Sequence, residues 1–370
     1  MSTLFKSLVS QEDAISELER ALAASKAQTL GQEMTQSWLF TGPPGSGRSN
    51  MAKAFAASLL CENAGCGNCE TCKSALEGVH QDIELIDTKG LSIKIDEIRE
   101  VVSRSAWGAS TSKWRVIVIE DCDRMTEAAG NALLKALEEP GSSTVWLLCA
   151  PTLHDVLPTI RSRCRHIQLK TPTKKGITEF LISSLGTNSK EAEFAANLSQ
   201  GHIGKARWYL MDERFKSTRK NIFTIFLSVN SESRALKAAQ ELIRSAEENT
   251  EARLSNLPKP KDNPALGAKA QKELEKEEKA RTTRAIRDEL DGYLLDFTTF
   301  LRDCLTKDSS WINEDLAEEI TKFQLKFNPE STMELLSTIN ESRRLLTTNA
   351  SQVLVLESLF LRLVQHKVGK

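Results

Sequence analysis

The stretch that most limits what this chain can become is Thr41-Gly42-Pro43-Pro44-Gly45-Ser46-Gly47-Arg48-Ser49. Ahead of it, Ser37-Trp38-Leu39-Phe40 reads as a short buried strand; behind it, Asn50-Met51-Ala52-Lys53-Ala54-Phe55-Ala56-Ala57 reads as a helix. Glycines at these positions let successive backbone N–H groups turn inward, and a helix leaving such a loop aims its free N–H groups at an anion. The pattern almost spells GxxxxGK[ST], in which a Lys reaches a terminal phosphate and a Ser or Thr hydroxyl holds Mg²⁺. Here the lysine position is Arg48 and the hydroxyl is Ser49. A guanidinium is a planar fork and an ammonium a compact charge, so the exchange is not conservative at a tightly enclosed phosphate. Gly42, Gly45, Gly47, Arg48 and Ser49 therefore predict a nucleotide-binding fold with a degenerate ATP/Mg²⁺ site, and turnover is not implied.

At 370 residues the chain has room for two or three domains. Its 49 basic and 50 acidic residues leave a net charge of -1, so no global basic field marks it as a nucleic-acid binder. The opening Met1-Ser2-Thr3-Leu4-Phe5-Lys6 lacks the apolar core of a signal peptide, and no window has the unbroken apolar length of a membrane span. Both observations predict a cytoplasmic protein without membrane contact. In that compartment the eight cysteines are expected as thiols rather than disulfides, with a metal site among them. Cys61, Cys66, Cys69 and Cys72 have the spacing for it, since the CxxC steps let thiolates converge while the Gly and Asn residues between them permit tight turns. Four sulfurs satisfy tetrahedral Zn²⁺ with no open position, so a structural zinc knuckle is expected. An iron–sulfur cluster and a fortuitous group of reduced thiols are the alternatives.

Around the loop the apolar pattern alternates between strand and helix. Ser10, shortly before two acids, reads as a capping signal for a helix carrying Ile15, Leu18 and Leu22. Residues 83–87 read as a strand, 93–105 as a helix, and Arg115–Ile119 as a fully buried parallel strand that ends in Glu120 and Asp121. In P-loop ATPases the strand-end acid orients Mg²⁺ and the next acid polarises the attacking water. Here the usual Asp-Glu order is inverted. Residues 128–139 read as a helix stopped by Pro140-Gly141, with further strands at 145–150 and 166–169. This alternation predicts an α/β doubly wound parallel sheet over residues 1–170. Beyond Thr171-Pro172-Thr173 the pattern is helical only, with a small lid domain at 171–212 and a longer all-α domain at 213–370. The latter contains a charged insert at about 247–284, whose basic residues read as a solvated face, running into the apolar face of Leu290, Tyr293, Leu294 and Phe297.

Several of these stretches together resemble one family. The run Asn131-Ala132-Leu133-Leu134-Lys135-Ala136-Leu137-Glu138-Glu139-Pro140, the Ser162-Arg163-Cys164 triplet, the knuckle directly after the P-loop helix and the Val9-Ser10-Gln11 opening are similar to AAA+ subunits of bacterial DNA polymerase III clamp loaders. Residues 38–49 further resemble the delta-prime branch of that family in its actinobacterial form. The likeness covers the first two domains closely and the third weakly; the length of the third suits the helical collar by which such subunits assemble.

The resemblance implies an AAA+ fold, and assembly with gamma/tau and delta subunits that place a sliding clamp on primed DNA. It also implies that Arg163 is an arginine finger reaching ATP on a neighbouring gamma/tau subunit. A guanidinium supplied in trans neutralises charge on the transferring phosphate and ties hydrolysis to assembly. Against the ATP-hydrolysing members, Arg48 replaces a Lys, Glu120-Asp121 is inverted, Ala150-Pro151 stands where a polar sensor is expected, and Gly204 stands in place of a sensor arginine. Losing one transition-state donor costs on the order of 10²-fold in rate, so the expectation is a stator without its own turnover. Two alternatives remain: a gamma/tau-type motor, supported by Ser49 and Glu120, and a zinc-containing nucleic-acid-binding protein.

Overall fold

The computed structural model describes residues 2–26, 33–88, 92–255, 268–306, 311–348 and 350–366. They fall into two compact units, one of Met1–Thr88 with Ser92–Leu210 and one beginning at Met211. In chain order the first unit runs α1 (Glu12–Lys26), β1 (Ser37–Thr41), α2 (Arg48–Leu60), α3 (Glu70–Glu77), β2 (Ile83–Ile86), α4 (Ile95–Ser105), β3 (Arg115–Ile119), α5 (Glu127–Glu138), β4 (Thr144–Ala150), α6 (Pro158–Arg161), β5 (Arg165–Gln168), α7 (Lys174–Leu185), α8 (Ser189–Ser199) and α9 (Ile203–Met211).

The five strands form one parallel sheet in the order β2-β3-β4-β1-β5. Because successive side chains of a strand point to opposite faces, each of the central strands feeds two cores. Trp38, Phe40, Val118, Leu147 and Cys149 pack with Leu18, Leu22 and Phe55 of α1 and α2. Leu39, Ile117, Ile119, Trp146 and Leu148 pack with Ile98, Val101, Leu133 and Leu137 of α4 and α5. Strands buried on both faces are what continuous apolar runs such as Arg115–Ile119 demand. The expected α/β doubly wound parallel sheet is therefore present. The short helices α7, α8 and α9 belong to the same unit, around a small core of Ile177, Leu181, Ala192, Ala195 and Ala206.

Local details refine the expectations. Ser10 is not the start of α1: it holds a left-handed φ of 58° outside the helix, and its hydroxyl accepts from Thr173 N. Helix α4 begins at Ile95 because Ile93 is drawn into a bridge with Met125. Just before β2, Asp82 is fully buried and accepts from Ser110 N, Thr111 N, Thr111 Oγ1 and Ser112 N at 2.5–2.9 Å, closing the turn that leads into β3.

The second unit is all helical: α10 (Glu213–Ser228), α11 (Glu232–Ser255), α12 (Ala268–Leu305), α13 (Ala317–Gln324), α14 (Pro329–Leu346) and α15 (Gln352–Gln365). Its centre is aromatic. Phe226 stacks on Phe297 at 4.4 Å, and Phe223, Phe300, Phe323 and Phe360 surround them. The charged insert is helix at both ends, up to Ser255 and from Ala268, consistent with ion pairs such as Arg284 with Asp288. The Pro-rich part, 257–264, lies outside the described residues. No described helix is long and apolar enough to cross a membrane.

Candidate functional site

The loop after β1 is built by its glycines. Gly45 and Gly47 take φ values of 84° and 90°, a region that disfavours any side chain, and a Cβ on Gly42 would stand 2.6 Å from Ser46 Oγ. Gly47 precedes α2, whose first-turn N–H groups therefore open onto the loop, next to the half-buried Ser49. From the neighbouring strand, the Pro151 carbonyl accepts from Gly42 N at 3.1 Å, so β4 touches the loop through backbone at the Ala150-Pro151 position. Gln11 ties the loop to its surroundings, donating to the Ser46 and Lys170 carbonyls and accepting from Lys170 N.

Two charged groups expected to face a nucleotide are engaged inside the protein. Arg48 Nη1 donates to the Gly42 carbonyl of its own loop. Glu120, just past β3, forms an ion pair at 2.7 Å with Lys53 of α2. Beside them, burial and then the neighbouring Asp121 raise the Asp123 carboxyl above its ordinary range. Arg48 follows the end of β1, and Glu120 and Asp121 follow the end of β3 in the same parallel sheet. Lys53, which partners the acid, carries no sequence signal beyond its place on the helix.

Arg163 lies elsewhere. It follows α6 and precedes β5, and its guanidinium donates to Glu138 Oε1 at 2.7 Å and to the Thr159 carbonyl at 2.7 Å. Arg165 stands in register with Trp38 and Gln168 with Thr41, so Arg163 is at the strand entrances while the loop is at the strand exits. Three strand steps alone separate the two ends by about 10 Å. In this arrangement the Arg163 guanidinium is held by Glu138 and Thr159 rather than turned to the loop of its own chain.

The four cysteines converge. Cys61 caps the end of α2, Cys69 precedes α3, and Cys72 lies inside it. Ala64, Gly65 and Gly67 turn the chain between them with φ of 53°, 85° and 80°. All four Sγ atoms lie within 4.8 Å of one another, with Cys61 3.8 Å from Cys66 and 3.7 Å from Cys69. These two spacings match the edge of a tetrahedron whose sulfurs stand about 2.3 Å from its centre, so the set can hold a metal ion. Backbone N–H groups of Asn68 and Cys69 pull the Cys66 thiol down to about 6, while burial pushes Cys72 up. With α2 thirteen residues long, this centre is about 20 Å from the loop and has no part in its chemistry.

Comparison with known proteins matches residues 11–173 to the family described as DNA polymerase III, delta subunit. Bacillus subtilis DNA polymerase III subunit tau is 32% identical over 177 residues, covering 47% of this chain and 30% of tau. Pseudomonas aeruginosa DNA polymerase III subunit delta' is 33% identical over 161 residues, covering 42% of this chain and 49% of delta'. The chain thus spans half or less of the length of these relatives. Among solved structures, a DNA polymerase III gamma subunit-related protein from Thermotoga maritima aligns with a TM-score of 0.48 at 18% identity, covering 95% of this chain and 100% of that one. Residues 11–173, the sheet and loop just described and under half of the chain, are thus the part that is similar to subunits of DNA polymerase III.

Proposed function

We propose that the chain is a delta-prime-type stator of a clamp loader, completing the ATP site of a neighbouring gamma/tau subunit with Arg163 while having no turnover of its own. The observation that carries the reading is the separation of the two chemistries: Arg163 is at the strand entrances, away from its own loop, while Arg48 and Glu120 are bound to Gly42 and Lys53. An arginine so placed acts only on phosphates brought by another subunit. The neighbours in this reading are gamma/tau and delta, with the sliding clamp and primed DNA reached through the assembly in the cytoplasm. In this reading the sheet domain at 1–170 and the lid at 171–212 serve it from within one compact unit, and a collar at 213–370 from the other. Cys61, Cys66, Cys69 and Cys72 hold structural Zn²⁺, since Sγ spacings of 3.7–3.8 Å suit a single ion and are too tight to enclose an iron–sulfur core.

The test is steady-state ATP hydrolysis by the reconstituted loader with clamp and primed DNA. Arg163→Ala should abolish the share of the rate that depends on this subunit, with about a 10³-fold loss at the one affected site. Arg48→Ala should change little. A loader indifferent to Arg163→Ala, or an isolated chain that hydrolyses ATP, would overturn the reading.

A further inference from the structure

We propose that His202 shuts this chain's phosphate loop, by seating the N-terminus of α9 directly on Gly45. The inference rests on the nucleotide-type reading of residues 42–49 and concerns what keeps that loop closed. A Cβ built on Gly45 would fall 2.5 Å from His202 Cα and 2.6 Å from its Cβ and Cγ. Real side-chain contacts do not come so close, so residue 202 rests against the glycine itself and no layer of ligand or water fits between them.

The imidazole is fixed in that position from behind. Its Nδ1 accepts from Lys205 N at 3.1 Å, while the His202 backbone donates to Ser199 O and accepts from Ala206 N. Gly204 gives the ring its space, since a Cβ there would stand 3.1 Å from His202 Cε1. Burial, followed by the nearby Lys205, lowers the pKa of His202, which disfavours the charged ring. On the loop's other side Arg48 is bonded to the Gly42 carbonyl, and Gln11 holds Ser46. A phosphate entering the loop has to lift α9 from Gly45 as well as turn Arg48 outward.

The decisive experiment titrates the full chain with a fluorescent ATP analogue and Mg²⁺, read by anisotropy, for the wild type, Arg48→Lys, His202→Ala and the double variant. When a binding-competent state is a minor fraction, removing the closure raises the apparent affinity by the inverse of that fraction. The double variant should therefore bind about tenfold or more tighter than Arg48→Lys alone. Amide exchange over 203–211 should rise in His202→Ala while β1 and β4 stay protected, which separates an opened lid from a damaged fold. Equal affinity of Arg48→Lys and the double variant, no binding by the double variant, or a wild type that binds as tightly as the double variant would each overturn the proposal. These titrations use the isolated chain and the Arg163→Ala test uses the reconstituted loader, so failure of the trans-acting finger and failure of this closure are read separately.

Discussion

Asp82 offers the clearest quantitative test of how the sheet end is held. Burial alone would raise its pKa, but the N–H groups of Ser110, Thr111 and Ser112 and the Thr111 hydroxyl more than reverse this and hold it at about 2, against an ordinary 3.8. That difference corresponds to about 2 kcal/mol of stability when the carboxylate is ionised. The folded-state pKa is depressed, so the contribution is fully present above pH 3.8 and is lost as the pH falls through about 2. Asp82→Asn should therefore destabilise the first unit by about 2 kcal/mol at pH 7, and the gap between variant and wild type should shrink between pH 4 and pH 2. Five of the six tryptophans, Trp38, Trp107, Trp114, Trp146 and Trp208, lie in the first unit, so urea unfolding followed by tryptophan fluorescence reports on it. An unchanged midpoint at pH 7, or a gap that persists undiminished at pH 2, would refute the assignment of that stability to the four hydrogen bonds.

Substitution of Cys66 or Cys72 by Ser should remove zinc from the purified chain and lower the melting temperature of the first unit, checked by metal analysis and calorimetry; retention of one equivalent of zinc would count against the four-thiolate centre. In the second unit Phe297 is fully buried against Phe223 and Phe226, so Phe297→Ala should cost about 3–5 kcal/mol in denaturant unfolding without altering the zinc content.

Much of the first unit is legible in the sequence, for identifiable reasons. Arg115–Ile119 and Thr144–Ala150 are apolar on both faces, which leaves little choice but a buried parallel strand. The cysteines are near neighbours in sequence, so their convergence needs only a few tight turns, which Gly65 and Gly67 supply. What cannot be read this way is contact across long sequence separations. Lys53 meets Glu120, Glu138 meets Arg163, and His202 meets Gly45 only after helices have docked on the sheet. Ser10 shows the same limit at short range: its local signal favours a helix cap, and its bonding to Thr173 far along the chain overrides that preference.

The placement of Arg163 at one end of the strands and the loop at the other gives the first unit a direction. Subunits joined head to tail through such unlike faces close into a ring or continue as a filament unless something stops them. Under the proposed reading, a member that offers an arginine from one face and keeps its opposite pocket shut is such a stop. In that reading a row can be extended only from the Arg163 face of this chain, so the fold itself would fix the direction in which subunits are ordered.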